Sequence, residues 1–214
     1  MHIIELTEKN FSSAVKQAAA VIKAGKAVVY PTDTSYGLAV SAGNPAAVRK
    51  MYLIKGRSFK KPVHIFVPSI AEAKKYVKWN VVAGKLAKTF LPGPLSMALP
   101  LKKRNAALNK LSAGSGYLGI RIADNKFALA LAKQAGSITA TSANIAGEKG
   151  GFDSYSAQDV IRQFAGRKHK PDLIIDAGNL KKTKPSTFVK ISPEKIEILR
   201  PGPITAGQIQ KALK

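Results

Sequence analysis

Residues 28–40 read VVYPTDTSYGLAV. Two apolar runs, each with the composition of a buried β-strand, flank a segment made almost entirely of turn formers and hydroxyls: Pro31, Thr32, Asp33, Thr34, Ser35, Tyr36 and Gly37. Thr32 and Thr34 share one strand-like parity and Asp33 the other, so the segment is either a small polar binding site or a Pro-led turn. Short polar side chains at the end of a buried strand sit where α/β proteins carry their chemistry.

Working outward, helical and strand patterns alternate. NFSSAVKQAAAVIKAG (10–25) predicts a helix capped by Asn10 or Ser12 and stopped at Gly25. NPAAVRKMYLIKG (44–56) predicts a second, with Asn44 as N-cap, Pro45 in the first turn and Gly56 past the end. Helical spacing recurs near 70–77, 81–90, 125–136, 156–165 and 205–213. Apolar runs at PVHIFVP, PLSMALPL, YLGIRIA, SITATSAN, DLIID, STFVKI and KIEILR read as strands. The expected fold is mixed α/β: three layers built on one twisted mixed sheet of about seven strands flanked by helices. With 214 residues, 45% of them apolar, and no Pro/Gly/Ser-rich break, residues 1–214 are expected to form a single domain.

Composition excludes several chemistries. Cysteine is absent, which removes disulfides, zinc–thiolate sites and thiol nucleophiles. There is no Walker A, G-x-G-x-x-G, H-E-x-x-H or G-x-S-x-G sequence. His2, His64 and His169 lack metal-ligand spacing. His2 and His169 fall in segments expected to be exposed, and His64 alternates with apolar neighbours in a strand. No apolar run is long enough to span a bilayer, and the N-terminus lacks a secretory signal, so a cytoplasmic protein is expected. The formal net charge of +23 favours polyanionic partners, whether nucleic acid, nucleotide phosphates or an acidic surface.

Four polar clusters follow predicted strands or helices. Beyond PTDTSYG, KGRSFKKP (55–62) concentrates Lys55, Arg57, Lys60 and Lys61 without an acid. It is either a triphosphate clamp or a basic connecting loop. TSANIAG (141–147) offers the Ser142 hydroxyl and the Asn144 amide, for a ligand or for a turn. KPSTF (184–188) and LRPGP (199–203) form the fourth cluster.

In this order and spacing, YPTDTSYGL, KGRSFKKP, LPGPLSMAL, LGIRIAD, TATSANIAG, PSTFV and ILRPG resemble the YrdC-like threonylcarbamoyl-AMP synthases from about residue 10 to 204. The resemblance implies a YrdC/RibB-like sheet lining a basic concave cavity, in the layout of the shorter members without an additional C-terminal domain. It implies a reaction of L-threonine, bicarbonate and ATP to threonylcarbamoyl-adenylate and pyrophosphate, for tRNA threonylcarbamoyladenosine synthesis. Thr34, Arg121, Ser186 and His64 would then bind L-threonine. Lys55, Arg57, Lys61, Ser142, Asn144 and Arg200 would bind ATP, with Lys55 and Arg57 as the catalytic cations. Mg²⁺ would accompany ATP, held mainly by phosphate oxygens and water rather than by a protein metal site. The implied partner is a threonylcarbamoyl-transferase complex acting on tRNA, with direct tRNA or double-stranded RNA binding also expected from the charge.

Three positions depart from the family pattern. Phe66 stands where many relatives have His, and His64, on the same strand face two residues earlier, is expected to replace it. Ala146 lacks a hydroxyl and Lys190 replaces an acid. Two alternatives stand beside the synthase. One is a paralogous RNA-binding or ribosome-associated protein of the same fold. The other is a carbamoyl-adenylate-forming domain of the hydrogenase-maturation kind, which usually lies in longer, cysteine-bearing chains.

Overall fold

The computed structural model describes residues 1–147 and 154–214. Its elements run β1 (His2–Glu5), α1 (Phe11–Lys23), β2 (Val28–Tyr30), β3 (Gly37–Ala39), α2 (Pro45–Lys55), β4 (His64–Phe66), α3 (Ile70–Tyr76) and α4 (Val81–Phe90). They continue β5 (Leu95–Pro100), α5 (Ala106–Leu111), β6 (Tyr117–Arg121), α6 (Lys126–Ala135), β7 (Ile138–Ser142), α7 (Ala157–Phe164), β8 (Leu173–Asp176), β9 (Thr187–Ile191), β10 (Ile196–Arg200) and α8 (Ala206–Leu213). The strands form one mixed sheet in the order β1-β8-β2-β3-β7-β4-β6-β5-β9-β10.

Ten strands replace the expected seven or so. Several are only three residues long, and β1 is a four-residue edge strand in which Ile4 alone is shielded, so it carries almost no burial pattern to read. Its strand state comes from parallel pairing with β8, a contact 171 residues away along the chain at His2↔Leu173. The glycine-bearing stretch LNKLSAGSGY (108–117), which the sequence offers as a candidate lid, begins inside α5, whose Ala107, Leu108 and Leu111 are buried. The glycine-rich EKGGFDS (148–154), a second candidate lid by sequence, lies outside the described residues except for Ser154.

Helix ends follow local chemistry with one exception. Asn44 Oδ1 accepts from the N–H groups of Ala46 and Ala47, at 3.0 and 3.1 Å, Pro45 opens α2, and Gly56 closes it at φ +59°. Asn10 sits at the N-cap of α1 but its side chain does not cap. Its Oδ1 accepts from Thr7 N, and its Nδ2 donates to Glu5 O, so it ties the helix to the end of β1.

Two apolar clusters cover the two sheet faces, and strand parity sorts side chains between them. Val29, Ile65, Met97, Ile120, Ile174 and Val189 enter the larger one with α2, α4 and α5. Val28, Tyr30, Phe66, Leu173 and Ile175 enter the smaller one, beneath α1 and α6. Strands buried on both faces need not alternate in hydropathy, hence the continuous runs seen in sequence. The smaller cluster draws nothing from β5, β6, β9 or β10 among the described residues. On that part of the sheet, the face opposite the main core is free for polar side chains.

Candidate functional site

The side chains on this face, and those beside it on β2 and β4, have the opposite parity to the larger apolar cluster. Next to Ile65 stand His64 and Phe66, next to Ile120 stands Arg121, next to Met97 stands Ser96, and next to Val29 stands Tyr30. All of these neighbours line a cavity of about 230 Å³. Loops add Thr32, Thr34, Arg57 and Ser186, and the last residues of β7 and β10 add Ser142 and Arg200. Three guanidiniums therefore converge on one small space.

Arg121 is fixed from the opening stretch of sequence. Its Nη2 donates to Asp33 Oδ1 at 2.7 Å and to Thr34 Oγ1 at 3.1 Å, with both charged side chains 13% exposed. Thr32 builds the turn that makes this possible: its Oγ1 donates to Ser35 O and accepts from the N–H groups of Thr34 and Ser35. The segment is bent rather than extended, so strand parity does not hold there. Asp33 and Thr34 reach the same nitrogen, where alternation had placed Asp33 opposite the threonines. The hydroxyl-rich stretch thus serves both as turn and as site.

Arg200 Nε and Nη2 both donate to Ser186 O, and Nη2 also donates to Ser186 Oγ, which lies 2.9 Å from Ser96 Oγ. Burial, with Arg121 next in effect, holds the Arg200 pKa below its ordinary value. Arg57 Nη2 donates to Pro62 O at 3.1 Å. The Nε atoms of Arg57 and Arg121 are buried without a hydrogen-bond partner among the described residues. Three guanidiniums lining one cavity are complementary to an anionic ligand.

His64 and Phe66 both line the cavity, as strand parity requires. The imidazole packs against Phe188 with ring centroids 4.2 Å apart. Burial, then Arg200, Arg121 and Arg57, push its pKa down to about 3, so it is neutral at physiological pH and can accept a hydrogen bond. The ring also lies over Gly119: a Cβ there would fall 2.3 Å from His64 Cδ2. β6 is paired on both sides and cannot retreat. Gly119→Ala is expected to drive the imidazole into the cavity and destabilise the fold by about 1–3 kcal/mol, the usual cost of overpacking. Thermal denaturation would read the stability loss, and calorimetric titration with threonine, the ligand that the family resemblance implies, the obstruction. A melting temperature and an affinity both equal to wild type would refute it.

Lys55, expected in the phosphate clamp, does not line the cavity. It is 2% exposed, and its Nζ donates to Ser142 O at 2.6 Å, Asn144 O at 2.7 Å and Asn144 Oδ1 at 3.3 Å. Its carbonyl accepts from Ala146 N at 2.8 Å. The end of α2 therefore grips the 142–146 turn with side chain and backbone together. Ser142 faces the cavity, and Asn144 stands behind it, its Oδ1 accepting from the Ser142 hydroxyl. Lys61 is exposed and outside the lining. Thr34, Arg121, Ser186, His64, Arg57, Ser142 and Arg200 are brought together, whereas Lys55, Lys61 and Asn144 are not at the wall. Lys190 turns away over the Tyr117 ring at 4.4 Å.

Sequence reasoning missed Tyr30, Ser96, Tyr155 and Thr183. Ser96 becomes visible once β5 is paired with β6, because its register partner is Arg121. Tyr155 and Thr183 come from loops: Tyr155 OH donates to Thr183 O, and Thr183 Oγ1 donates to Thr34 O.

Among the described residues no three His, Cys, Asp or Glu side chains are grouped to hold a metal. The carboxylate nearest the guanidiniums, Asp33, is engaged by Arg121. This donor set suits a cation carried by phosphate oxygens rather than by a protein cage. No helix of the described residues is long and apolar enough to cross a membrane.

Comparison with known proteins agrees with the geometry. The chain is 38% identical over 209 residues to a putative threonylcarbamoyl-AMP synthase of Methanocaldococcus jannaschii, covering 98% of this chain and 95% of that one. It is 35% identical over 201 residues to the human threonylcarbamoyl-AMP synthase, covering 90% and 68%. The Pyrococcus abyssi Sua5 structure complexed with L-threonine superposes with a TM-score of 0.90 at 31% identity. That match covers all of this chain but 61% of the Sua5 chain. Escherichia coli YciO shares the fold at TM-score 0.80 and 22% identity, over 94% and 95% of the two chains. With the Sua5/YciO/YrdC model, described as telomere recombination, matching residues 20–202, the chain belongs to that family.

Proposed function

We propose that this chain is a threonylcarbamoyl-AMP synthase, a nucleotidyltransferase acting on L-threonine, bicarbonate and ATP. The observation that carries the reading is Arg121. It is anchored on Asp33 and Thr34 and lines the cavity, and its guanidinium is suited to a carboxylate, in a fold shared with a Sua5 that holds L-threonine. In this reading Arg121 takes the threonine carboxylate, and Thr34, Ser186 and His64 supply neutral polar contacts around it. Arg57, Arg200 and Ser142 face the nucleotide phosphates. Lys55 and Asn144 hold Ser142 in place, and Lys61 reaches in from the exposed rim.

The chemistry needs no covalent protein intermediate. The threonine amine and bicarbonate form a C–N bond with loss of water, giving the N-carboxylate. One carboxylate oxygen bonds to the α-phosphorus as the bond to the β-phosphate bridging oxygen breaks, releasing pyrophosphate. Alignment and fixed cations against the charge developing on the phosphates supply the rate. Mg²⁺, bound with ATP, would add further charge neutralisation on the phosphates. A carbamoyl-adenylate is an activated donor, to be consumed by a transferase acting on tRNA in the cytoplasm.

A second reading, as an RNA-binding paralogue of the same fold, draws on charge. Residues 34–123 carry sixteen Lys and Arg against one acid, Glu72. One experiment separates the two. Protein is incubated with ATP, Mg²⁺, bicarbonate and threonine, each omitted in turn, and pyrophosphate and the adenylate are followed by mass spectrometry. The synthase requires a product dependent on every component, reduced about 100-fold or more in Arg57→Ala, the scale for losing a preorganised charge donor. ATP binding without product, together with RNA retention that falls steeply with salt, would instead establish the paralogue.

A further inference from the structure

Tyr30 ends β2 at the floor of the cavity and is 1% exposed, yet its hydroxyl makes no hydrogen bond among the described residues. Other buried tyrosine hydroxyls of this protein are satisfied. Tyr36 donates to Gly178 O and accepts from Ala177 N, and Tyr52 donates to Lys61 O. The end of the Tyr30 ring lies against Gly37: a Cβ there would come 2.8 Å from Cε1 and 3.1 Å from the hydroxyl oxygen. Both residues line the cavity. The hydroxyl is not among the buried atoms without a partner, so it opens on the cavity, where a ligand atom can meet it.

Its neighbours limit which atom that is. Phe66 and Ala123 line the same cavity and belong to the same apolar cluster as Tyr30, giving a wall suited to a methyl group. Burial pushes the Tyr30 pKa far above the usual phenol range, with opposing effects from Arg121 and Asp33. The group is therefore a neutral hydroxyl, able to donate and to accept. A carboxylate held by Arg121 and a nitrogen turned toward the phosphates leave the amino acid's side chain to meet this wall.

Resting on the synthase reading, we infer that Tyr30 is the specificity-determining residue for the substrate's β-hydroxyl: its phenol hydrogen-bonds that hydroxyl while Phe66 and Ala123 receive the methyl. A buried hydroxyl built to meet a substrate hydroxyl rejects the analogue lacking it, because the protein group is then left unpaired.

The test compares L-threonine with L-2-aminobutyrate, which differs only in having hydrogen in place of the hydroxyl, in wild type and in Tyr30→Phe. Phenylalanine keeps the ring and its packing, and a thermal melt checks that the variant is folded. In wild type, kcat/KM is expected to favour threonine. In Tyr30→Phe, threonine is expected to lose about 10- to 30-fold while 2-aminobutyrate changes less than about threefold, so that the preference collapses. Equal losses for both substrates, or unchanged discrimination, would overturn the assignment. If wild type binds threonine without forming the adenylate, the synthase reading fails while the same comparison is read from calorimetric Kd values. If threonine does not bind, both fall together.

Discussion

Arg121→Ala is expected to lower kcat/KM for threonine by about three orders of magnitude, the scale for truncating one partner of a buried hydrogen-bonded charge pair. Two losses coincide. On the proposed function the substrate carboxylate would lose its cation, and Asp33, 13% exposed, keeps a charge whose partner has gone. The effect should concentrate in the threonine KM and spare ATP binding, because Arg57, Arg200 and Ser142 stand on other elements. Asp33→Asn offers a graded control: Arg121 keeps an oxygen acceptor but loses its counter-charge, so the threonine KM should rise by less. Steady-state kinetics with each substrate varied in turn checks both variants. A threonine KM unchanged in Arg121→Ala would remove the carboxylate assignment altogether.

Lys55→Met is expected to lower kcat/KM for ATP about 100-fold although residue 55 is not at the cavity wall, because small displacements of positioning groups cost rate on that scale. Methionine keeps the length of the side chain but donates nothing. Ser142 O, Asn144 O and Asn144 Oδ1 lose their shared donor, and the turn carrying Ser142 loses its anchor. Stranded acceptors at this depth should cost about 3 kcal/mol of stability. The pH dependence has a definite sign. Burial first, and Arg57 second, lower the Lys55 pKa from 10.5 to about 7. The unfolded chain therefore binds more protons than the native chain between these values. Wild-type stability gains from this group as pH rises from 7 toward 10.5 and gains nothing from it below 7. The stability difference between wild type and Lys55→Met should widen between pH 7 and pH 9 in denaturant titrations. A constant difference would mean that Lys55 titrates normally in the folded protein.

Much of this was legible in sequence, for reasons visible in particular residues. Asn44, Pro45 and Gly56 bounded α2 because capping is local chemistry, satisfied within four residues. Phe66 and His64 could be placed on one face because a two-residue period survives in β4, short as it is. Strand number was less legible, since β1 exists through pairing with a segment near the other end of the chain. Motif and geometry coincide at Thr34, Arg57, Arg121, Ser142, Ser186 and Arg200, which all line the cavity. Lys55 illustrates the boundary. Its position in a basic run marks it as a cation near phosphates, but only the fold shows its ammonium spent on three oxygens of a neighbouring turn. Tyr30 is the converse. As the last residue of an apolar run it reads as core, and only the cavity beside its hydroxyl sets it apart.

The division of each strand between core and cavity has a consequence for how such a protein can change. Ile65, Ile120 and Met97 maintain the scaffold, while His64, Arg121 and Ser96, one step away on the same strands, contact the cavity. Point substitutions on the second set can alter which small molecule is held without disturbing the first. A single-residue deletion within β4, β5 or β6 would exchange the two sets at a stroke, turning arginine into the core and isoleucine toward the ligand. Diversification of this site is therefore open to replacement and closed to insertion and deletion within those strands, and length variation is left to the loops between them.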